Sequence, residues 1–356
     1  MPRLTTLFLT TLLAFHPHPA AAQAHLLLRD SVRLQQTGDV FLSLPTTVVA
    51  DSAGYLVVDD QEPQVLAFDR RGKRLRRYGR RGEGPGEFEE VVAAYPYGKS
   101  QVIVFSSEPP AAQVFDRASG AFVQRFRLEP PIVSARVVAG QAWIGGNRYT
   151  TRTGLRRVVL GDDHAADLGP MPAEFRVGAP LDGIFPMVSF AVWADTVLVG
   201  FEPSGTLTLL LDDGTVLDTI PVPVRRRRGV PHDASEQLLR IMHKGPYYDV
   251  FGLLSALRGM HHNADGSTTL VYFDSRPEQP PVTSEAYVSV LAADRTRACV
   301  DAKVPLHPEA QPAFGFDGDE LMVLEQVIEG AEAVPVLKHY RVDVSGCDWI
   351  ATSGGS

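Results

Sequence analysis

The stretch Gly79-Arg80-Arg81-Gly82-Glu83-Gly84-Pro85-Gly86-Glu87-Phe88 constrains the fold of this chain more than any other. It lies between two segments built in the same order. Before it come residues 55–59 (Tyr-Leu-Val-Val-Asp), a second apolar run at 65–69 and a turn at Arg71-Gly72. After it come residues 102–105, a second run at 113–116 and a turn at Ser119-Gly120. A connector that leaves the outer strand of one sheet and crosses to the inner strand of the next must turn sharply. Such turns need positive φ, which glycine reaches without a Cβ clash. Pro85 fixes one φ and stiffens the crossing. Phe88, the first apolar residue after the turn, is placed to plug between sheets. Gly82, Gly84, Pro85, Gly86 and Phe88 are therefore read as a structural connector between two blades of a β-propeller.

The spacing extends the reading along the chain. Phe68-Asp69 and Phe115-Asp116 are 47 residues apart, and Leu211-Asp212 follows Phe115-Asp116 by 96, two further periods. Four-stranded blades have about this length. Strand-like runs divide the chain into units at about 45–78, 88–128, 132–168, 186–224, 247–304 and 305–350. The Asp212-Asp213-Gly214 turn of the fourth unit is a strong hairpin signal. Between the fourth and fifth units the strand pattern breaks. Residues 225–245 carry a capping-box pattern at Asp233 and Glu236 and one apolar face at Leu238, Leu239 and Met242, ended by Pro246. The expected fold is all-β: a six-bladed propeller of four-stranded blades over residues 25–356, with a short helical insertion at 225–245. An open ring would leave two unpaired strand edges, so the spare segment from Ser31 to Leu42 is expected to supply the outer strand of the last blade.

The N-terminus reads as an export signal. Arg3 precedes an apolar run over residues 4–15, too short to span a bilayer, and Ala22-Gln23-Ala24 is a small-x-small cleavage site. Cleavage after Ala24 would leave a periplasmic or extracellular protein. Its net charge of −8 argues against a general nucleic-acid or anionic-membrane surface. In an oxidising compartment the two cysteines, Cys299 and Cys347, are expected to form a disulfide. They lie 48 residues apart, one blade period.

The connector and the Tyr-Leu-Val-Val-Asp … Phe-Asp order resemble the NHL-repeat and TolB-like superfamily of six-bladed propellers. Blades of that group carry Asp-x-x-Asn-x-Arg before the third strand. Asp59 matches the Asp, while Glu62 and Gln64 stand in place of the Asn and Arg, and in the second unit Ser106, Pro109 and Ala111 replace all three. Some cytoplasmic members bind RNA through this motif. The departures, the export signal and the acidic balance all weigh against that function here.

Candidate chemistry is sparse. His261-His262 invites a metal reading, but adjacent strand residues point to opposite faces, and no partner spacing completes a zinc set. Calcium serves several lactonase-like six-bladed hydrolases, whose sites need carboxylates and asparagine amides at the channel. The only asparagines are Asn147 and Asn263, with Glu87, Asp249 and Asp274 as further oxygen donors. No Gly-x-Ser-x-Gly elbow, phosphate loop or cysteine-nucleophile signature is present. Arg225 to Arg228 form a cationic run suited to a solvated loop or an acidic partner. Arg136, Arg148, Trp193, His261 and Asp274 fall at inner strands or loop ends and are the candidates for a ligand at the channel mouth. The function expected is a monomeric, non-catalytic binding or scaffold module for a protein, peptide or glycan, without cofactor. The alternative is a propeller hydrolase or lyase with a metal in the channel.

Overall fold

The computed structural model describes residues 24–36, 40–162, 164–172, 175, 187–221, 254–276, 283–307, 311–330 and 332–352. The expected helical insertion at 225–245, with the arginines at 225–228, lies outside these residues, as does Asp249. No α-helix occurs among the described residues.

The strands form antiparallel meanders of four. β2 (Pro45–Asp51), β3 (Gly54–Asp59), β4 (Gln64–Asp69) and β5 (Arg74–Tyr78) make the first. The short strands β6 (Arg80–Arg81) and β7 (Glu87–Phe88) pair in parallel across the glycine-rich connector. A second sheet holds β8 (Glu90–Tyr97), β9 (Gln101–Glu108), β10 (Pro110–Asp116) and β11 (Phe122–Arg127). A third holds β12 (Ser134–Val138), β13 (Gln141–Arg148), β14 (Thr153–Val158) and β15 (Ala165–Pro170). The next holds β16 (Val188–Trp193), β17 (Thr196–Phe201), β18 (Thr206–Leu211) and β19 (Val216–Pro221). β20 (Ser255–His262), β21 (Thr268–Arg276), β22 (Thr283–Leu291) and β23 (Arg297–Lys303) follow. β24 (Ala313–Asp317), β25 (Glu320–Glu329) and β26 (Glu332–Asp343) end the series, with β1 (His25–Arg33) beside β26 and the short β27 (Ile350–Ala351) beside β23.

Burial differs between second and outer strands, except at β23, where five of seven residues are buried. All six residues of β3 are buried, whereas the outer strands β5, β11 and β19 are mostly exposed. The core is accordingly not one mass but a series of layers between sheets. One apolar cluster joins β3 and β4 to Phe88, Val91 and Phe115, and the next joins β9 and β10 to Ala135 and Ile144. The last joins Met322, Leu324 and Leu337 back to Val48, Val57 and Phe68, so the series closes on itself. That closure is the β-propeller arrangement.

The connector is held by specific contacts. The Phe88 ring is fully buried and sits over Gly79, where a Cβ would stand 2.1 Å from a ring carbon. Gly79 also has φ of +73°, so only glycine fits on both counts. Buried Gln113 accepts from the Gly86 N–H and donates to the Glu87 carbonyl, each at 2.8 Å.

The N-terminal strand does supply the outer strand beside β26, but it spans residues 25–33, so only Ser31, Val32 and Arg33 of the expected segment from Ser31 to Leu42 belong to it. That pairing fills the slot the C-terminal tail would otherwise take. The tail therefore crosses to the exposed edge of β23, where Ala298 pairs with Ile350 and Arg297 with Ala351. Cys347 lies in this tail and bonds Cys299 of β23, with Cα atoms 6.0 Å apart. The two cysteines are thus bridged without occupying equivalent positions in neighbouring blades.

Candidate functional site

Each inner strand ends on a hairpin turn, and these turns share one side of the propeller. Trp193 is the last residue of β16, and His261 and His262 are the last two of β20. Because strand neighbours point oppositely, the two histidines diverge. His262 stacks on Trp193 of one adjacent sheet, with ring centroids 4.0 Å apart and planes 8° from parallel. His261 stacks on Phe316 of the other, at 4.6 Å and 14°. Arg136 extends from β12 past the intervening β16 and donates from Nη2 to the Met260 carbonyl at 3.3 Å. Asp319, in the turn after β24, accepts from the Ala264 N–H at 3.0 Å and lies 3.6 Å from His261 Nε2.

Burial first, and the Arg136 charge second, push the His261 imidazole down to about 4, against the opposing pull of Asp319. Burial and then Arg295 lower His262 as well. At neutral pH both imidazoles are therefore neutral, with the charged side chains of Arg136, Arg295, Asp265 and Asp319 around them. All four stacked rings are partly exposed. The mouth offers planar surfaces, a cation across the channel and a carboxylate on the rim. Such a set suits a ligand with a flat or weakly polar face and hydrogen-bonding edges.

The opposite side, where connectors enter the inner strands, is built differently. A carboxylate stands in the connector-side half of the second strand, or just past its end, in several meanders. Asp59 accepts from the Ser43 and Leu44 N–H groups at 2.6 and 3.1 Å. Glu325 accepts from the His307 N–H at 3.0 Å and pairs with Lys338. Asp274 accepts from the Ser255 hydroxyl at 3.0 Å. Each thereby latches the segment entering its own inner strand. Glu202 holds the corresponding place after β17, accepts from the Met187 N–H at 3.4 Å and meets Arg258 of β20 at 2.9 Å. Its complete burial outweighs Arg258 and raises its pKa to about 7. In the third sheet the place falls to Asn147, buried, with neither amide atom hydrogen-bonded.

The sequence candidates thus separate. Arg136, Trp193 and His261 come together at the turn side. Arg148 and Asp274 lie at the connector side, where Arg148 pairs with Glu129 at 3.0 Å and Asp167 at 3.4 Å. Phe316, Asp319 and His262 complete the turn-side mouth and were not singled out as ligand residues from sequence. Among the described residues no group of three or more His, Cys, Asp or Glu is placed to hold a metal ion.

No protein-family model matches the chain, and no curated protein matches it. Solved structures do. A DUF4221-family member from Bacteroides vulgatus aligns with a TM-score of 0.62 at 10% identity, over 90% of this chain and 99% of that one. A Bacteroides fragilis protein thought to be exported aligns with a TM-score of 0.64 at 13% identity, over 92% of this chain and 98% of that one. At these identities the likeness shows the fold alone. No helix among the described residues is long and apolar enough to cross a membrane.

Proposed function

We propose that the chain is an exported six-bladed propeller of the NHL and TolB-like kind, acting as a monomeric binding module for a protein, peptide or glycan. The blade count takes the eight-stranded sheet, joined only through the Thr47–Phe314 pair of β2 and β24, as two blades. One observation carries the function: two ring pairs flank β20 at the turn-side mouth while Arg136 crosses the channel beside them. Stacked planes held on strand ends make a rigid platform that costs little ordering entropy on binding. Cleavage after Ala24 leaves His25, the first residue of β1, at the new N-terminus, and N-terminal sequencing of the secreted protein checks it. No cofactor and no nucleic acid enter this reading.

A peptide and glycan array probed with the wild-type protein identifies ligands. Trp193→Ala and Arg136→Ala, each still folded by circular dichroism, should each weaken binding at least tenfold. Unchanged binding in both would place the ligand elsewhere.

A second reading, a channel hydrolase or lyase using a metal, draws support from Glu202, whose carboxyl is poised near neutrality beside a sheet carrying the unpartnered amide of Asn147. Elemental analysis of the purified protein separates the two. One tightly held calcium per chain, lost in Asn147→Leu, would favour the enzyme.

A further inference from the structure

Residues 70–81 read Arg-Arg-Gly-Lys-Arg-Leu-Arg-Arg-Tyr-Gly-Arg-Arg, eight cations in twelve residues with no acid, in a chain of net charge −8. The fold places this run along the hairpin turn before β5 and along β5 itself, an outer edge strand. Arg70, Arg71, Lys73, Arg76 and Arg77 are exposed. Some of the run is neutralised: Arg70 pairs with Asp317, Arg80 with Glu87 at 2.7 Å and Arg81 with Glu89 at 3.4 Å. Among the described residues no carboxylate pairs with Arg71, Lys73, Arg76 or Arg77. The nearby acids are committed. Asp69 accepts from the Arg71 and Lys73 N–H groups at 2.9 Å, and Asp116 from the Ser119 N–H and hydroxyl.

Beside this strand, on the turn side between the first and second meanders, lies a groove of about 320 Å³. Tyr55, Phe68, Leu75 and Tyr78 line it, with Arg76 and Arg117 at its edge. Arg117 pairs with Asp51 there. Leu75 is 47% exposed in the middle of the cations. The groove thus combines an apolar wall with a row of exposed cations that make no direct carboxylate pair among the described residues, although the Asp116 charge lies near Arg76.

We propose that this groove and the β5 edge bind a linear anionic polysaccharide. Its carboxylates or sulfates pair with Arg71, Lys73, Arg76 and Arg77, and the apolar face of a sugar ring lies against Leu75. Arg71 and Lys73 lie in the turn before β5, while Arg76 and Arg77, successive residues of β5, point to opposite faces of that strand. The charges are therefore spread around the turn and the strand edge, where an extended chain with repeated charges can meet several of them. Arginine's fork favours bidentate pairing with either anion. A nucleic acid suits the surface less well. Duplex DNA carries one charge per about 1.7 Å of axis, so the net negative charge of the protein repels it more strongly. The aromatic rings lining the groove are also buried and offer no base platform. The site is separate from the channel mouth and does not depend on the ligand proposed there.

The test uses the full secreted chain with polygalacturonate and chondroitin sulfate as probes, and neutral dextran and a single-stranded oligonucleotide as comparisons. Binding is read by biolayer interferometry at 50 and 300 mM NaCl. The wild type should bind at least one acidic polysaccharide but not dextran, and lose at least tenfold in affinity at the higher salt. Arg71→Glu with Arg76→Glu should lose at least tenfold at 50 mM. Arg152→Glu, exposed in a loop on the connector side, should keep wild-type affinity. No binding of either polysaccharide, equal loss in Arg152→Glu, or tighter binding of the oligonucleotide would each overturn the proposal. Variants are compared only at matched melting temperature. Should the double variant unfold, Arg71→Gln with Arg76→Gln replaces it, with the same expected direction and a loss of at least threefold.

Discussion

Two groups that burial shifts in opposite directions, Glu202 fully buried and His261 partly so, set up a pH test of the site geometry. Glu202 has its carboxyl raised from 4.5 to about 7, chiefly by burial. The folded state then holds a proton that the unfolded chain releases, so stability falls as pH rises from about 4.5 to 7. At about 1.36 kcal/mol per unit, the shift is worth about 3 kcal/mol across that window. His261 does the reverse. Its imidazole is lowered from 6.5 to about 4, so the unfolded chain binds the proton first and stability rises from about pH 4 to 6.5, again by about 3 kcal/mol. Between pH 4.5 and 6.5 the two slopes cancel in the wild type. Glu202→Gln, which copies the neutral carboxyl, removes the falling slope, and His261→Gln removes the rising one. Urea unfolding at pH 4.5, 5.5, 6.5 and 7.5 reads the difference from wild type. The Glu202→Gln difference should grow by about 3 kcal/mol in favour of the variant between pH 4.5 and 7. The His261→Gln difference should turn against the variant by a similar amount between pH 4.5 and 6.5. An offset constant with pH in either variant would refute the burial argument for that residue.

Two further outcomes follow from how the ring is sealed. Replacing Cys299 and Cys347 by alanine opens a loop of 48 residues, and the chain-entropy model puts the loss at about 4 kcal/mol; an unchanged urea midpoint would show that the tail contacts alone hold the loop. Deleting residues 25–34 removes buried Val32 and Leu34, worth about 3–6 kcal/mol together, and bares the β26 edge. The truncated protein should melt earlier and self-associate by light scattering, and a monodisperse truncation with wild-type melting would show that β1 is dispensable.

The sequence exposed the architecture where local chemistry repeats. The 47-residue period, the glycine connector and the hairpin turns all act over short range and are visible one unit at a time. Alternation marks a half-buried strand and so points to Ser31, six residues after the closing strand begins. β1 is exposed along most of its length and carries three consecutive leucines that read as the tail of the export signal. The candidate site was half legible. Trp193 and His261 stand out by type, and the opposite pointing of His261 and His262 follows from strand geometry alone. Phe316, which stacks on His261, is 55 residues beyond it, and no local pattern announces a stack across sheets. Arg148 and Asp274 were grouped with them because position along a strand does not reveal which end of the ring a side chain reaches. The cations of residues 70–81 are visible as a plain charge count, but only the fold sets them along an edge strand beside a groove.

The division between the two sides of the ring has a physical source. On the connector side the strand-end carboxylates spend their lone pairs on N–H and O–H groups of the entering segments. A carboxylate so engaged stabilises the chain path and has little left for a ligand. On the turn side the hairpins are short and satisfy their own backbone groups, so side chains at the strand ends are free for recognition. The two proposed sites there are linked. Arg70 donates to the Asp51 carbonyl at 2.7 Å and pairs with Asp317, while Asp51 also takes Arg117 at the groove. Two residues beyond Asp317 stands Asp319, beside His261 at the channel mouth. Ion pairs and hydrogen bonds therefore tie the cationic groove to Asp317, at the start of the turn that carries Asp319 to the mouth. An acidic glycan anchored along β5 would lie on the same face as the Trp193 and Phe316 rings, and the salt dependence of its binding would report the groove while loss in Trp193→Ala would report the mouth. A ligand long enough to engage both sites would lose affinity in each set of variants, whereas a short oligosaccharide would respond to only one.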